Sequence, residues 1–188
     1  MGLIWCASSL TAKRFFYGKN KLIKFDSENA LETFLFENRE FVEDSIGLLA
    51  GELHRQVDFG CYGRVDFIHA AYVPDDIGPS IITVIELKNE SIKASHAAQL
   101  CRYMTAIQEF IDGRFSDGDY MVNGVLIGPK TFPDLSDNCF LLQNISNVNC
   151  FEFSLCVDGL KFSLISEWRA SGDFKTKEIK RILMGEEE

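Results

Sequence analysis

The run Ile81-Ile82-Thr83-Val84-Ile85-Glu86-Leu87-Lys88 most constrains what this chain can fold into. Its nearly unbroken β-branched, apolar character over 81–87 predicts a central strand buried on both faces, in an α/β arrangement. Such a strand rarely carries charge without a reason, because an unpaired buried ion costs several kcal/mol. Here Glu86 and Lys88 lie two apart, so on a strand their side chains leave the same face. Upstream, Asp66 sits in a second β-prone run, Gly63-Arg64-Val65-Asp66-Phe67-Ile68. A divalent cation is one good reason for such charges. Asp66 and Glu86 are hard oxygen ligands of the kind Mg²⁺ takes. Lys88 would set a cation beside them, where an activated water and a phosphate oxygen could meet.

The rest of the chain reads as helices and strands around that run. Residues 11–25 alternate basic and apolar groups about a turn at Gly18 to Asn20, which predicts a hairpin. Asp26 or Ser27 is a plausible N-cap. The helix that follows carries Ala30-Leu31, Phe34-Leu35 and Phe41-Val42 as its apolar stripe and ends before Gly47 or Gly51. Strands are expected at 53–59, 64–72, 81–87 and 120–127, with a helix at 95–110. Residues 149–157 and 160–166 pair across Asp158-Gly159, a strong hairpin signal. A short helix is expected within 132–147 and another at 177–184.

After Lys88 comes a polar stretch and then Gln99-Leu100-Cys101-Arg102-Tyr103. An acid, a gap, Glu-x-Lys and then Gln-hydrophobic-x-x-Tyr is the order found in the PD-(D/E)xK nucleases, and the chain resembles that superfamily. The first half of the motif is degenerate, since Arg64 and Val65 precede Asp66 where a proline stands in many members. The Gln99 and Tyr103 pair resembles the RecB-like branch; four residues apart, the two share one helix face. The segment 27–38 is similar to the opening helix of NucS-like and Shedu-like domains, and 122–127 to their late core strand. The likeness covers about residues 25–165.

The resemblance implies a restriction-endonuclease-like fold, a mixed central sheet flanked by helices, and the 188 residues with 46% hydrophobic content suit a single domain over 1–188. It implies a site in which Asp66, Glu86, the Leu87 carbonyl and Glu28 hold Mg²⁺ or Mn²⁺, with Glu32 as the second choice for the helix acid. Lys88 would orient or help deprotonate the attacking water. Gln99 would position Lys88 or a phosphate oxygen. Tyr103 would contact the DNA backbone or brace the site. Arg55 and Gln56, on the strand before Asp66, would contact a DNA phosphate. The implied activity is metal-dependent DNA hydrolysis, in repair, phage biology or defence against mobile elements, with a protein partner or a homodimer supplying target choice.

Each residue also has a plainer role. Asp66 could cap a strand end or pair with Arg64 or Arg55, Glu86 and Lys88 could form a ladder on an edge strand, and Gln99 and Tyr103 could be ordinary helix positions. A catalytically idle member of the same fold, acting as an interaction or inhibitor protein, and an RNA-acting nuclease remain as rivals. The net charge of −9 favours the idle form, because DNA affinity rests largely on Lys and Arg. Residues 1–24 soften the objection, with Lys13, Arg14, Lys19, Lys21 and Lys24 and no acid. No Gly-rich phosphate loop supports an unrelated ligand-binding protein.

The six cysteines form no Cys-x-x-Cys pair and His54, His69 and His96 show no zinc spacing. Buried reduced thiols and a cytoplasmic location are therefore expected. No apolar run approaches the roughly 20 residues of a membrane span.

Overall fold

In a computed structural model, residues 25–74, 78–115, 119–129, 145–156 and 159–164 are described. The expected hairpin at 11–25 and the short helices at 132–147 and 177–184 lie almost wholly outside these residues. Helix α1 spans Glu28–Glu37, α2 Arg39–Ile46 and α3 Ala94–Asp112. The strands are β1 Glu52–Asp58, β2 Arg64–Ala71, β3 Ser80–Leu87, β4 Tyr120–Pro129, β5 Val148–Cys156 and β6 Gly159–Leu164.

The strands form one mixed sheet in the order β1-β2-β3-β4-β5-β6. β1, β2 and β3 run antiparallel as a meander, β3, β4 and β5 are parallel, and β6 returns antiparallel to β5. A parallel neighbour needs a crossover, and α3 supplies it between β3 and β4. The α/β class and the mixed sheet with helices on its faces are as expected. β3, the apolar run, lies in the interior of the sheet.

Each face of the sheet has its own core. Leu31 and Leu35 of α1 and Val42 and Ile46 of α2 pack with Phe67, Ile85, Leu87, Val125 and Ile127 on one face. Leu100, Tyr103, Ile107 and Ile111 of α3 pack with Val84, Val122 and Leu126 on the other. Strand alternation makes this possible: successive residues of β3 feed opposite cores, which is why the sequence there shows no polar period.

Three local details differ from expectation. The single helix expected up to Gly47 breaks at Asn38, whose φ of −114° and ψ of 34° end α1. The Asn38 amide bonds the Phe34 carbonyl at 2.8 Å, a side-chain alternative to the helical ladder. The break shifts the helical phase, so Phe41 is exposed while Val42 and Ile46 are buried. β4 runs on through Gly128 to Pro129, because β5 continues to pair with it there. Cys61 is exposed and Cys101 half-exposed, and of the described cysteines only Cys150 is buried. The start and stop signals did hold: the Ser27 hydroxyl accepts from Ala30 N, and Gly47 ends α2 in the left-handed region at φ 73°.

Candidate active site

The carboxyl end of β3 is where charge and burial conflict. Glu86 and Lys88 are 2% and 8% exposed. Lys88 Nζ donates to Glu86 Oε1 at 2.7 Å, and the other carboxylate oxygen, Oε2, is buried with no partner among the described residues. Burial pushes the Glu86 carboxyl up to about 7, and the nearby Asp66 charge adds to the shift against the pull of Lys88. Burial alone would lower the Lys88 ammonium. The Glu86 hydrogen bond and charge, with Glu28 and Asp66 behind them, outweigh it and hold Lys88 above its ordinary value.

Asp66 reaches the same place from β2. Pairing of β2 with β3 stops at Phe67↔Ile85. The next outward donor on that edge of β3, Leu87 N–H, bonds Asp66 Oδ2 at 2.8 Å in place of a ladder carbonyl. Burial raises Asp66 to about 6 although the Leu87 N–H and the Lys88 charge both lower it. The Asp66 carboxylate thus fills the gap where two strands separate. The Leu87 side chain is buried in the core on the α1–α2 face, and its residue closes β3.

α1 brings Glu28 over this gap. Its carboxylate lies 3.8 Å from Lys88 Nζ and accepts from Asn89 N at 3.4 Å. Glu32, one turn on, is 5% exposed and paired elsewhere: Arg55 Nε donates to it at 2.5 Å. Arg55 also donates to Thr33 Oγ1 at 3.0 Å and lies over the Phe36 ring. Of the two helix acids, Glu28 stands at the Lys88 ammonium, while Glu32 and Arg55 clamp α1 to β1. Gln56, next on β1, donates from Nε2 to Asp66 Oδ1 at 3.3 Å.

α3 contributes Gln99 and Tyr103 as one bonded pair, Nε2 donating to the hydroxyl at 3.0 Å. Tyr103 is 3% exposed and packs under the β1–β2 turn, where a Cβ at Gly63 would meet its hydroxyl at 3.2 Å. That placement braces the hairpin carrying Asp66.

Two further residues join the site that the sequence did not single out strongly. Asn89 follows Lys88 and ties the chain to the segment leading into α1, its amide donating to the Phe25 carbonyl at 2.8 Å, with Oδ1 buried and without a partner among the described residues. Its position beside Glu-x-Lys was the only available signal. His96 is buried in the first turn of α3; its Nδ1 accepts from Lys93 N and its Nε2 faces Glu90. Burial and the Lys88 charge lower its pKa, against the pull of Glu90. Lys93 has no acceptor atom in its side chain, so the His96 ring alone caps this helix start. His69 is buried in β2, 3.8 Å from Glu43, and His54 is half-exposed beside Glu52.

Around the Lys88 ammonium stand the carboxylates of Glu86, Asp66 and Glu28, and among the described residues one Glu86 oxygen and the Asn89 amide oxygen find no donor. Such a place can hold a hard cation and present a positive group beside it. Among the described residues no helix is long and apolar enough to cross a membrane.

No family model and no curated protein matches the chain. Among solved structures it is similar to the crystal structure of a repair endonuclease from Pyrococcus abyssi. That likeness has 21% sequence identity and a TM-score of 0.45, and covers 69% of this chain and 48% of that one. The chain therefore spans about half the length of the protein it matches.

Proposed function

We propose that this chain is a metal-dependent endonuclease that hydrolyses DNA phosphodiester bonds at the Asp66, Glu86 and Lys88 site. The observation that carries the reading is Glu86 Oε2, a buried carboxylate oxygen at the end of an interior strand that has no donor among the described residues. Leaving it so is costly to the fold. A cation that takes up this oxygen removes the cost, and the order of the surrounding residues is the one the sequence shares with the PD-(D/E)xK nucleases.

The donor set fits Mg²⁺ or Mn²⁺. Asp66, Glu86, the Leu87 carbonyl and Glu28 offer oxygen alone. The described residues form no cluster of three His, Cys, Asp or Glu side chains that would enclose an ion. Mg²⁺ needs no such cage, since it is commonly held by one or two carboxylates together with waters and substrate phosphate. When bound, the ion lowers the pKa of a water and stabilises charge on the phosphate.

The chain's own groups do the rest. Lys88, fixed by Glu86, presents its ammonium to orient the attacking water and to offset the phosphate charge. Glu28 holds the outer side of that ammonium. Arg55 acts through Glu32 and Thr33, keeping α1 and therefore Glu28 in place. Gln99 and Tyr103 hold the hairpin that carries Asp66. DNA is the proposed partner, and a second protein or a second copy of the chain would set the target.

The test incubates purified protein with linear, circular single-stranded and branched DNA, and with RNA, in Mg²⁺, Mn²⁺ or EDTA, beside Lys88→Ala. Cutting of DNA that needs the ion and is lost in the variant is expected. Cutting confined to RNA would move the substrate class. No cutting of any nucleic acid, or equal cutting by the variant, would sink the reading.

A further inference from the structure

We infer that Gln56 is a positioning residue for Asp66, its side-chain amide holding the carboxylate in the attitude from which it binds the ion. The inference rests on the function proposed above and deepens it, because the residue's task is to set one ligand of that site.

Two described non-glycine residues have positive φ, Gln56 at 53° and Asn147 at 59°. Asparagine tolerates the left-handed region well, but glutamine does not, and Gln56 is in the middle of a strand rather than at a turn. Strain of this kind persists only where the surroundings impose it. The surroundings here are specific. Arg55↔Phe67 and Val57↔Val65 are register partners of β1 and β2, and the step between them, Gln56 opposite Asp66, is not. The irregularity is therefore confined to the one position that faces the acid.

Its consequence shows on both strands. Val65 and Phe67, two apart on β2, should share one face, yet they belong to cores on opposite faces of the sheet. The alternation is interrupted at Asp66, so its carboxylate lies in the gap between strands. There Gln56 Nε2 donates to Oδ1 at 3.3 Å from one side and Leu87 N–H donates to Oδ2 at 2.8 Å from the other. Both donors are neutral, so they orient the carboxylate without cancelling its charge. Each oxygen keeps a lone pair for a cation. Arg55, the adjacent cation, is bound to Glu32 instead.

The assignment separates the amide from the backbone it sits on, and so can be tested. Gln56→Asn and Gln56→Gly both accept a left-handed backbone, and both withdraw the amide from Asp66. Mn²⁺ binding to the whole chain would be measured by calorimetry and by the electron-paramagnetic-resonance line shape of the bound ion, with Asp66→Ala as reference. Both variants are expected to keep the wild-type unfolding midpoint, to bind Mn²⁺ roughly tenfold more weakly, and to broaden the ion's spectrum. Wild-type affinity in either variant, with binding still lost in Asp66→Ala, would overturn the role of Gln56 and leave the metal site standing. No Mn²⁺ binding by the wild type, or undiminished binding by Asp66→Ala, would overturn the metal site and this role with it.

Discussion

Lys88 Nζ and Glu86 Oε1 are 2.7 Å apart, both side chains buried, where an interior strand ends at Leu87. Removing one partner of such a pair leaves the other uncompensated, and a buried carboxylate answers by keeping its proton. Lys88→Met should therefore raise the Glu86 pKa further. The variant is expected to lose cleavage entirely and to be destabilised more at about pH 8, where Glu86 would have to ionise, than at about pH 5. Urea unfolding at the two pH values, beside the cleavage assay, checks this. A loss of stability independent of pH would show that Glu86 is not the group Lys88 serves.

The raised carboxyls make a second statement about pH. Asp66 and Glu86 stand at about 6 and about 7, against ordinary values of 3.8 and 4.5. A carboxyl that holds its proton more tightly folded than unfolded stabilises the fold fully below its unfolded pKa. That contribution is lost as pH rises through the folded pKa. The pair thus weakens the ion-free fold as pH climbs through about 6 and 7. Lys88, raised from 10.5, titrates above that window and does not blunt the effect. In EDTA the melting temperature should fall from about pH 5 to about pH 8, and Mn²⁺ should restore more of it at the higher pH. Asp66→Asn should flatten both trends, and a melting profile in which it does not would exclude Asp66 as their source.

Arg55 was expected to meet a phosphate, and its contacts give it a structural load. It pairs with Glu32, whose side chain is 7% exposed, and its guanidinium lies over Phe36, whose ring stacks on Phe67. Arg55→Met should cost about 3 kcal/mol by stranding the Glu32 charge. Adding Glu32→Leu should return most of it, because replacing both members with apolar groups is often neutral. Chemical denaturation of the single and double variants measures the coupling. Strict additivity would show that the pair does not hold α1 to the sheet.

Gly63 offers a test of the brace beneath the site. Its φ of 107° is a conformation that side chains rarely adopt, and a Cβ there would press on the Tyr103 hydroxyl. Gly63→Ala should cost about 1–3 kcal/mol and lower cleavage by tilting the hairpin that carries Asp66. Tyr103→Phe keeps the packing and removes one hydrogen bond, so about 1 kcal/mol is expected, with activity largely kept. If Tyr103→Phe abolished cleavage at unchanged stability, the hydroxyl would have a direct part in the chemistry.

What the sequence made legible follows from short-range physics. The strand over 81–87 was visible because a β-branched run fixes both its conformation and its burial. The clash of Glu86 and Lys88 with that run marked the place where the structure buries the two charges together. Ser27, Gly47 and the two strands flanking Asp158-Gly159 followed from local capping and turn chemistry. The break at Asn38 was hidden, since the apolar stripe continues through it and only a side-chain hydrogen bond ends the helix. The Arg55 and Glu32 pair joins residues 23 apart in the chain and depends on how α1 docks on β1. The left-handed backbone of Gln56 has no sequence mark, because no glycine or asparagine stands there to announce it.

The choice between Glu28 and Glu32, open in the sequence, turns on what each carboxylate touches. Glu28 is 3.8 Å from Lys88 Nζ with its side chain 46% exposed, so its carboxylate can reach a solvated cation. Glu32 is buried and committed to Arg55. Their replacements should therefore separate two properties. Glu28→Gln keeps a hydrogen-bonding side chain at the surface and should leave stability within about 0.5 kcal/mol, while cleavage falls by about tenfold or more through weaker ion binding. Glu32→Gln should lower stability by more than that, by leaving Arg55 without its charge partner, and should affect cleavage only as far as α1 moves. Measuring unfolding and metal-dependent cleavage on the same preparations distinguishes the two. The reverse pattern, with activity lost in a fully stable Glu32→Gln and kept in Glu28→Gln, would make Glu32 the helix acid of the site.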